Sequence, residues 1–93
     1  MKLRIIDTSW GINRKTGAFS ESEVSNDLFE AKVGELPPVG PSGHKFRIEE
    51  VKEDSVVVYL SMKQGTVEVK KGEPYEYRPF SMDGGHRYKL EVE

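Results

Sequence analysis

The chain is predicted to be all-β, a small antiparallel β-sandwich or partly open barrel of about six to eight strands. Three observations carry that prediction. Apolar residues alternate with polar ones in several short runs, most cleanly at Tyr88, Leu90 and Val92 against Arg87, Lys89, Glu91 and Glu93. One run, Val-Val-Val-Tyr-Leu at residues 56–60, is apolar throughout, mostly β-branched or aromatic, and only a strand's length. Turn chemistry built from Gly, Pro, Asn and Asp separates the runs about every ten residues. The 93 residues make a single domain, residues 1–93.

Leu3, Ile5 and Ile6 form a first strand, with Lys2 and Arg4 turned outward. Asp7, Thr8 and Ser9 loosen it before Trp10, Gly11 and Ile12. Residues 13–17, Asn-Arg-Lys-Thr-Gly, are a turn in which Gly17 supplies the positive φ that closes such loops. Trp10 is expected as a core plug or a lid over one end of the sheet, with ligand stacking as the alternative.

Residues 18–32 admit two readings. Ser20 and Glu23 match a capping box, and Phe19 and Val24 fit a hydrophobic staple, which predicts one short helix near residues 21–32 and an α+β fold. Against it, Ser25, Asn26 and Asp27 would occupy the helix interior, where their side chains compete for backbone hydrogen bonds. The preferred reading is a polar strand over 19–24, a turn at 25–27 and a strand over 28–33. Four acids lie between Glu21 and Glu30 with no base among them, a solvated edge that discourages edge-to-edge aggregation.

Residues 34–43 hold three prolines and three glycines in ten positions, which excludes helix and central strand and predicts a loop between sheets. Phe46 and Ile48 then alternate with Arg47 and Glu49, and Val51 falls out of phase, so a bulge is expected near Glu49 and Glu50. Lys52, Glu53 and Asp54 form the turn into the 56–60 run, expected as a central strand. Residues 66–70 alternate as a further strand. Tyr75 and Tyr77 share one face of the next, opposite Arg78 and Phe80. Asp83-Gly84 is favoured hairpin-turn chemistry, leading into a last strand over 86–93.

Composition narrows function by exclusion. There is no cysteine, so disulfides and thiolate metal sites are out of reach. That absence leans towards a reducing compartment, and with no cleavable leader signal at the N-terminus the expected location is the cytoplasm. No apolar stretch approaches the roughly 20 residues that span a bilayer, so no membrane is expected. A formal net charge of −2 argues against nucleic acid as a partner. Charge is balanced along the chain, with five bases against six acids in residues 1–43 and nine against ten in residues 44–93.

The only histidines, His44 and His86, are far apart in sequence, and each lies beside a glycine-rich turn; no metal and no cofactor is expected. No nucleophile elbow, phosphate-cradling loop or dinucleotide fingerprint is present, and adjacent acids on strands point apart, so the chain is read as not an enzyme. What remains is a non-catalytic module for a protein partner or for self-association, using exposed strand edges. The alternative is a small-ligand or carbohydrate-binding domain that stacks its ligand on Trp10, Tyr75 and Tyr77, with Arg78 beside them.

Overall fold

A computed structural model describes residues 1–41, 43–79 and 81–93; the expectation for Phe80 lies outside them. In chain order the strands are β1 (Lys2–Ile12), β2 (Phe19–Glu30), β3 (Gly34–Glu35), β4 (Phe46–Val51), β5 (Ser55–Leu60), β6 (Gly65–Lys70), β7 (Tyr75–Tyr77) and β8 (Gly84–Val92). They form two four-stranded sheets, ordered β2-β1-β8-β7 and β3-β4-β5-β6, in which neighbouring strands run antiparallel. The sheets face each other as a sandwich.

Period-two patterning decides which side chains fill the space between. Leu3 and Ile5 of β1 and Tyr88, Leu90 and Val92 of β8 meet Phe46, Ile48, Val56, Val58, Leu60 and Val69 of the second sheet, all buried. Val39, from the loop after β3, plugs the same core. β5 is an interior strand; its inner residues are sealed, while Val57 and Tyr59 on its outer face are half-buried. The accessible surface is 5757 Å², close to the roughly 5,500 Å² expected for this mass.

The two sheets differ in length. β1 and β2 have 11 and 12 residues, while no strand of the second sheet exceeds six. At about 3.3 Å per residue, β1 and β2 must outrun the sheet that faces them. The inner face of β1 records where cover ends: Leu3, Ile5 and Asp7 are buried, then Ser9 and Gly11 are only half so. The overhang stretches the molecule to 48 × 23 × 19 Å. Its radius of gyration of 14.0 Å exceeds the roughly 12 Å of a compact domain this long.

Several expectations change. No helix forms over residues 21–32; the segment is strand to Glu30. Nor does the chain turn at Ser25–Asp27. β2 runs straight through, and its pairing with β1 steps from Asp7↔Ser25 to Thr8↔Glu23, which leaves Val24 as a bulge. The polar residues that looked like a turn stay in the ladder, Ser25, Asn26 and Asp27 opposite Asp7, Ile6 and Ile5, and the bulge takes up only Val24. β1 likewise continues through Asp7, Thr8 and Ser9, because β2 and β8 pair with it on either side. The proline-rich segment opens with a two-residue edge strand, β3, before becoming loop.

Gly84 and Gly85 are strand residues, paired with Gly11 and Trp10, and neither has a positive φ. They are small for a reason other than turning. A Cβ on Gly84 would lie 3.0 Å from the Trp10 carbonyl oxygen, and one on Gly85 would press on Ser81 and the Trp10 indole. The expected bulge in β4 is present at Glu49, between the pairs Ile48↔Val58 and Glu50↔Val57. Gly17 has φ 73°, as its turn requires.

Candidate functional site

Each sheet ends in two edge strands, and an uncovered edge is a row of free backbone donors and acceptors unless it is blunted. Three of the four are blunted. β3 is two residues long and runs into Pro37-Pro38. β7 is three residues long, preceded by Pro74 and followed closely by Pro79. β6 is six residues long and ends in Lys70-Lys71, with Lys63 just before it. The fourth edge, β2, has 12 residues with no proline, lysine or arginine.

Its hydrogen-bonding direction follows from the bonds at the strand ends. Lys2 and Glu93 exchange two backbone hydrogen bonds of 2.8 Å, so Lys2 turns its amide towards β8. The Ala31 amide donates to the Met1 carbonyl at 3.1 Å, so Ala31 turns towards β1. Antiparallel alternation then aims the amides of Phe29, Asp27 and Ser25 at β1 and those of Glu30, Leu28 and Asn26 outward. Beyond the bulge the Ile12 amide donates to the Asp83 carbonyl, on the β8 side. Its partner Phe19, and with it Glu21 and Glu23, therefore turn their amides outward too.

The side chains along this edge are apolar and acidic. Phe19, Val24 and Leu28 are 57%, 41% and 41% exposed. Two of the acids are engaged within the sheet: Glu21 with Arg87 at 3.0 Å, and Glu30 with Lys2 at 3.9 Å. Glu23 accepts one hydrogen bond among the described residues, a long one of 3.4 Å from the Asn26 side-chain Nδ2. Among the described residues Asp27 has no ion pair. Arg4 is held by Glu93 and by the Asn26 side chain; its pKa is raised, chiefly by the Glu93 hydrogen bond, with Glu23 adding a weaker attraction. The edge thus offers outward amides and carbonyls, a few exposed apolar side chains and, at Asp27, negative charge without an ion pair among the described residues.

β2 is nonetheless firmly seated. Asp7, directly opposite Ser25, is fully buried and meets His86 Nδ1 at 2.8 Å, tying β1 to β8. Gly40, with φ 69°, packs onto this pair so closely that a Cβ there would overlap Asp7 Oδ2 and lie 3.4 Å from Ser25 Oγ. Among the described residues those two oxygens have no hydrogen-bonding partner. His44 approaches Tyr88 edge-on at 5.6 Å while His86 lies flat to it at 6.3 Å, so two histidines distant in sequence share one tyrosine. No sequence signal joins them, because only the β1–β8 register and the 39–44 loop bring them together. The described residues include no group of three or more ligands suited to a metal.

The four residues expected to bind a ligand are not gathered in one place. Tyr75 and Tyr77 pair with the buried Leu90 and Tyr88, so they face inward and pack against the core. Trp10 is in opposite phase to Leu3, Ile5 and Asp7, so it lies on the outer face, at the overhanging end, stacked on Phe19 at 6.3 Å. Arg78 is exposed on the outer side, 3.8 Å from Glu76. A groove of about 330 Å³ opens elsewhere, on the outer side of the second sheet. Leu36 and Pro38 wall it, Lys45 lines it, and the Arg47 guanidinium lies 4.6 Å over the Tyr59 ring. Compared with protein-family models, curated proteins and solved structures, the chain matches none of them, so its site has to be argued from its own geometry.

Proposed function

We propose that the chain is a non-catalytic interaction module that accepts an extended segment of a protein partner along β2. The observation that carries this reading is the contrast among edges: β2 is twice the length of the next longest edge and lacks the proline and lysine found at the others. Strand addition uses main-chain hydrogen bonds for affinity and alternate side chains for specificity, and β2 offers both. The close packing of Gly40 against Asp7 and Ser25 supports it further, since a preorganised edge loses less entropy on binding.

Selection of displayed random dodecapeptides on the intact protein, with counter-screening against Asn26→Pro and Leu28→Pro, tests the reading. Both substitutions delete an outward amide and leave the β1–β2 ladder whole, so the variants should fold while losing the selected peptides. Peptides that bind both variants as tightly as the parent would place binding elsewhere and sink the proposal.

The groove at Leu36, Pro38, Arg47 and Tyr59 favours a second reading, binding of a small polar molecule with an apolar face. About 330 Å³ is within the range of small-molecule sites, and Lys45 offers a cation there, while Arg47 is paired with Glu49 and Glu35 lines the same groove. A thermal-shift screen of aromatic and sugar acids tests it; a hit must lose its shift in Tyr59→Ala.

A further inference from the structure

We propose that the segment received by β2 is basic, and that a second copy of this chain is excluded by charge; this rests on the strand-addition reading above. A copy related by a two-fold axis would pair β2 with β2. Its side chains carry four acids and no base, so Glu and Asp would line both sides of the new ladder. Like charges placed directly opposite across strands destabilise pairing, while opposite charges stabilise it. The acids therefore act in two directions. They guard a long open edge against its own kind and mark it for a partner of the other sign.

The pattern can be read residue by residue. Leu28 lies on the outer face of β2, 41% exposed, with Asn26 and Glu30 on either side of it along that face. A partner strand beside residues 26–30 would set an apolar residue against Leu28. Asp27 is one position on, facing the other way, and has no cation of its own among the described residues. A lysine or arginine adjacent to that apolar residue would reach it. Glu23, beyond the Val24 bulge, lies on the same outer face as Leu28 and already interacts with Arg4, so it adds less than Asp27. Glu21 and Glu30 add less, because Arg87 and Lys2 already answer them. The partner is thus an extended stretch alternating apolar and basic residues.

The test uses the intact 15N-labelled protein and two terminally blocked heptapeptides, one alternating lysine with valine and one alternating glutamate with valine. Amide exchange and shift changes are followed at Asn26, Leu28 and Glu30, with sedimentation over a range of protein concentrations. The lysine peptide should slow exchange at those three amides, and the glutamate peptide should not. Asp27→Asn should leave the fold intact and weaken the lysine peptide by about 1.5- to 5-fold, the effect of losing one cross-strand charge pair. Equal protection by both peptides would keep strand addition and overturn the charge reading. Protection by neither would overturn strand addition itself. Protection that grows with protein concentration, with a doubled mass, would make the occupant a second copy and overturn the proposal.

Discussion

β2 and β7 bound the same sheet and solve the edge problem in opposite ways. β7 pairs through only three residues, is bracketed by Pro74 and Pro79, and turns Tyr75 and Tyr77 into the core. Little backbone is left for anything to pair with. β2 carries 12 residues, half of which turn their amides outward, and its protection consists of one bulge and its acidic side chains. The comparison teaches that edge protection need not be uniform. Shortness and proline close an edge to every strand, whereas charge closes it only to strands of like sign. An edge left open in that selective way is where a strand of a partner can be admitted and a like-charged one refused.

The largest expected effect separates the two sides of β2. Asp27 turns its amide to β1 and pairs with Ile5, so Asp27→Pro removes a ladder bond and orphans a carbonyl beside the core. Urea unfolding should show a loss of roughly 3 kcal/mol or more. Leu28→Pro, one residue along, removes only an outward amide and should stay within about 1 kcal/mol of the parent. If the two prolines proved equally damaging, the assignment of outward and inward amides would be wrong, and with it the docking edge.

A smaller effect asks whether β2 is held by its own domain. Gly40 and Gly43 have nearly the same backbone, φ 69° and 71°, but different neighbours. A Cβ at 40 overlaps Asp7, whereas one at 43 has nothing within 4 Å. Gly43→Ala should cost about 1 kcal/mol, the left-handed penalty alone. Gly40→Ala adds overlap against a buried carboxylate and should cost roughly 2–4 kcal/mol. The midpoint should fall at unchanged m-value, and exchange at Ser25 should quicken first if the loop seats β2. Equal costs would show that Gly40 is needed only for its backbone angle.

Much of the fold was legible because period-two patterning is set by burial, and burial is what the sheets share. The inward set Tyr88, Leu90 and Val92, the bulge at Glu49 and the turn at residues 52–54 could each be read from the chain. Residues 25–27 misled because Ser, Asn and Asp favour turns locally, and only pairing to β1 on one side overrides that preference. Asp83-Gly84 reads as hairpin chemistry, and β7 and β8 do form a hairpin. The glycines, however, belong to the strand and answer close approach to Trp10 and Gly11, a tertiary demand invisible in a turn motif. At the site, the acidic character of residues 21–30 was legible and the edge position was not. Strand order decides which strand is left without a neighbour. The grouping of Trp10 with Tyr75 and Tyr77 looked natural in sequence, but the register places them on opposite faces of the sheet.

The smallest effect compares how two edges use their acids. On β6 the Glu68 carboxylate accepts a hydrogen bond from Ser55 Oγ at 2.7 Å and pairs with Lys52 Nζ at 3.1 Å, so it is committed to its own sheet. These contacts, the serine bond foremost, hold its carboxyl below the ordinary glutamate value of 4.5. A carboxyl depressed on folding stabilises the native state above its unfolded value, and that contribution is lost as pH falls through the lowered one. Glu68→Gln keeps the shape and removes the charge. Its unfolding midpoint should trail the parent's by a constant small margin above pH 4.5, and the gap should close progressively below it. The margin should also shrink in high salt, since the pair is partly exposed. A gap independent of pH would mean that Glu68 acts through packing alone. On β2, Glu23 has only the long bond from the Asn26 side chain and a weak attraction to Arg4 among the described residues, so Glu23→Gln should shift the unfolding midpoint less than Glu68→Gln does.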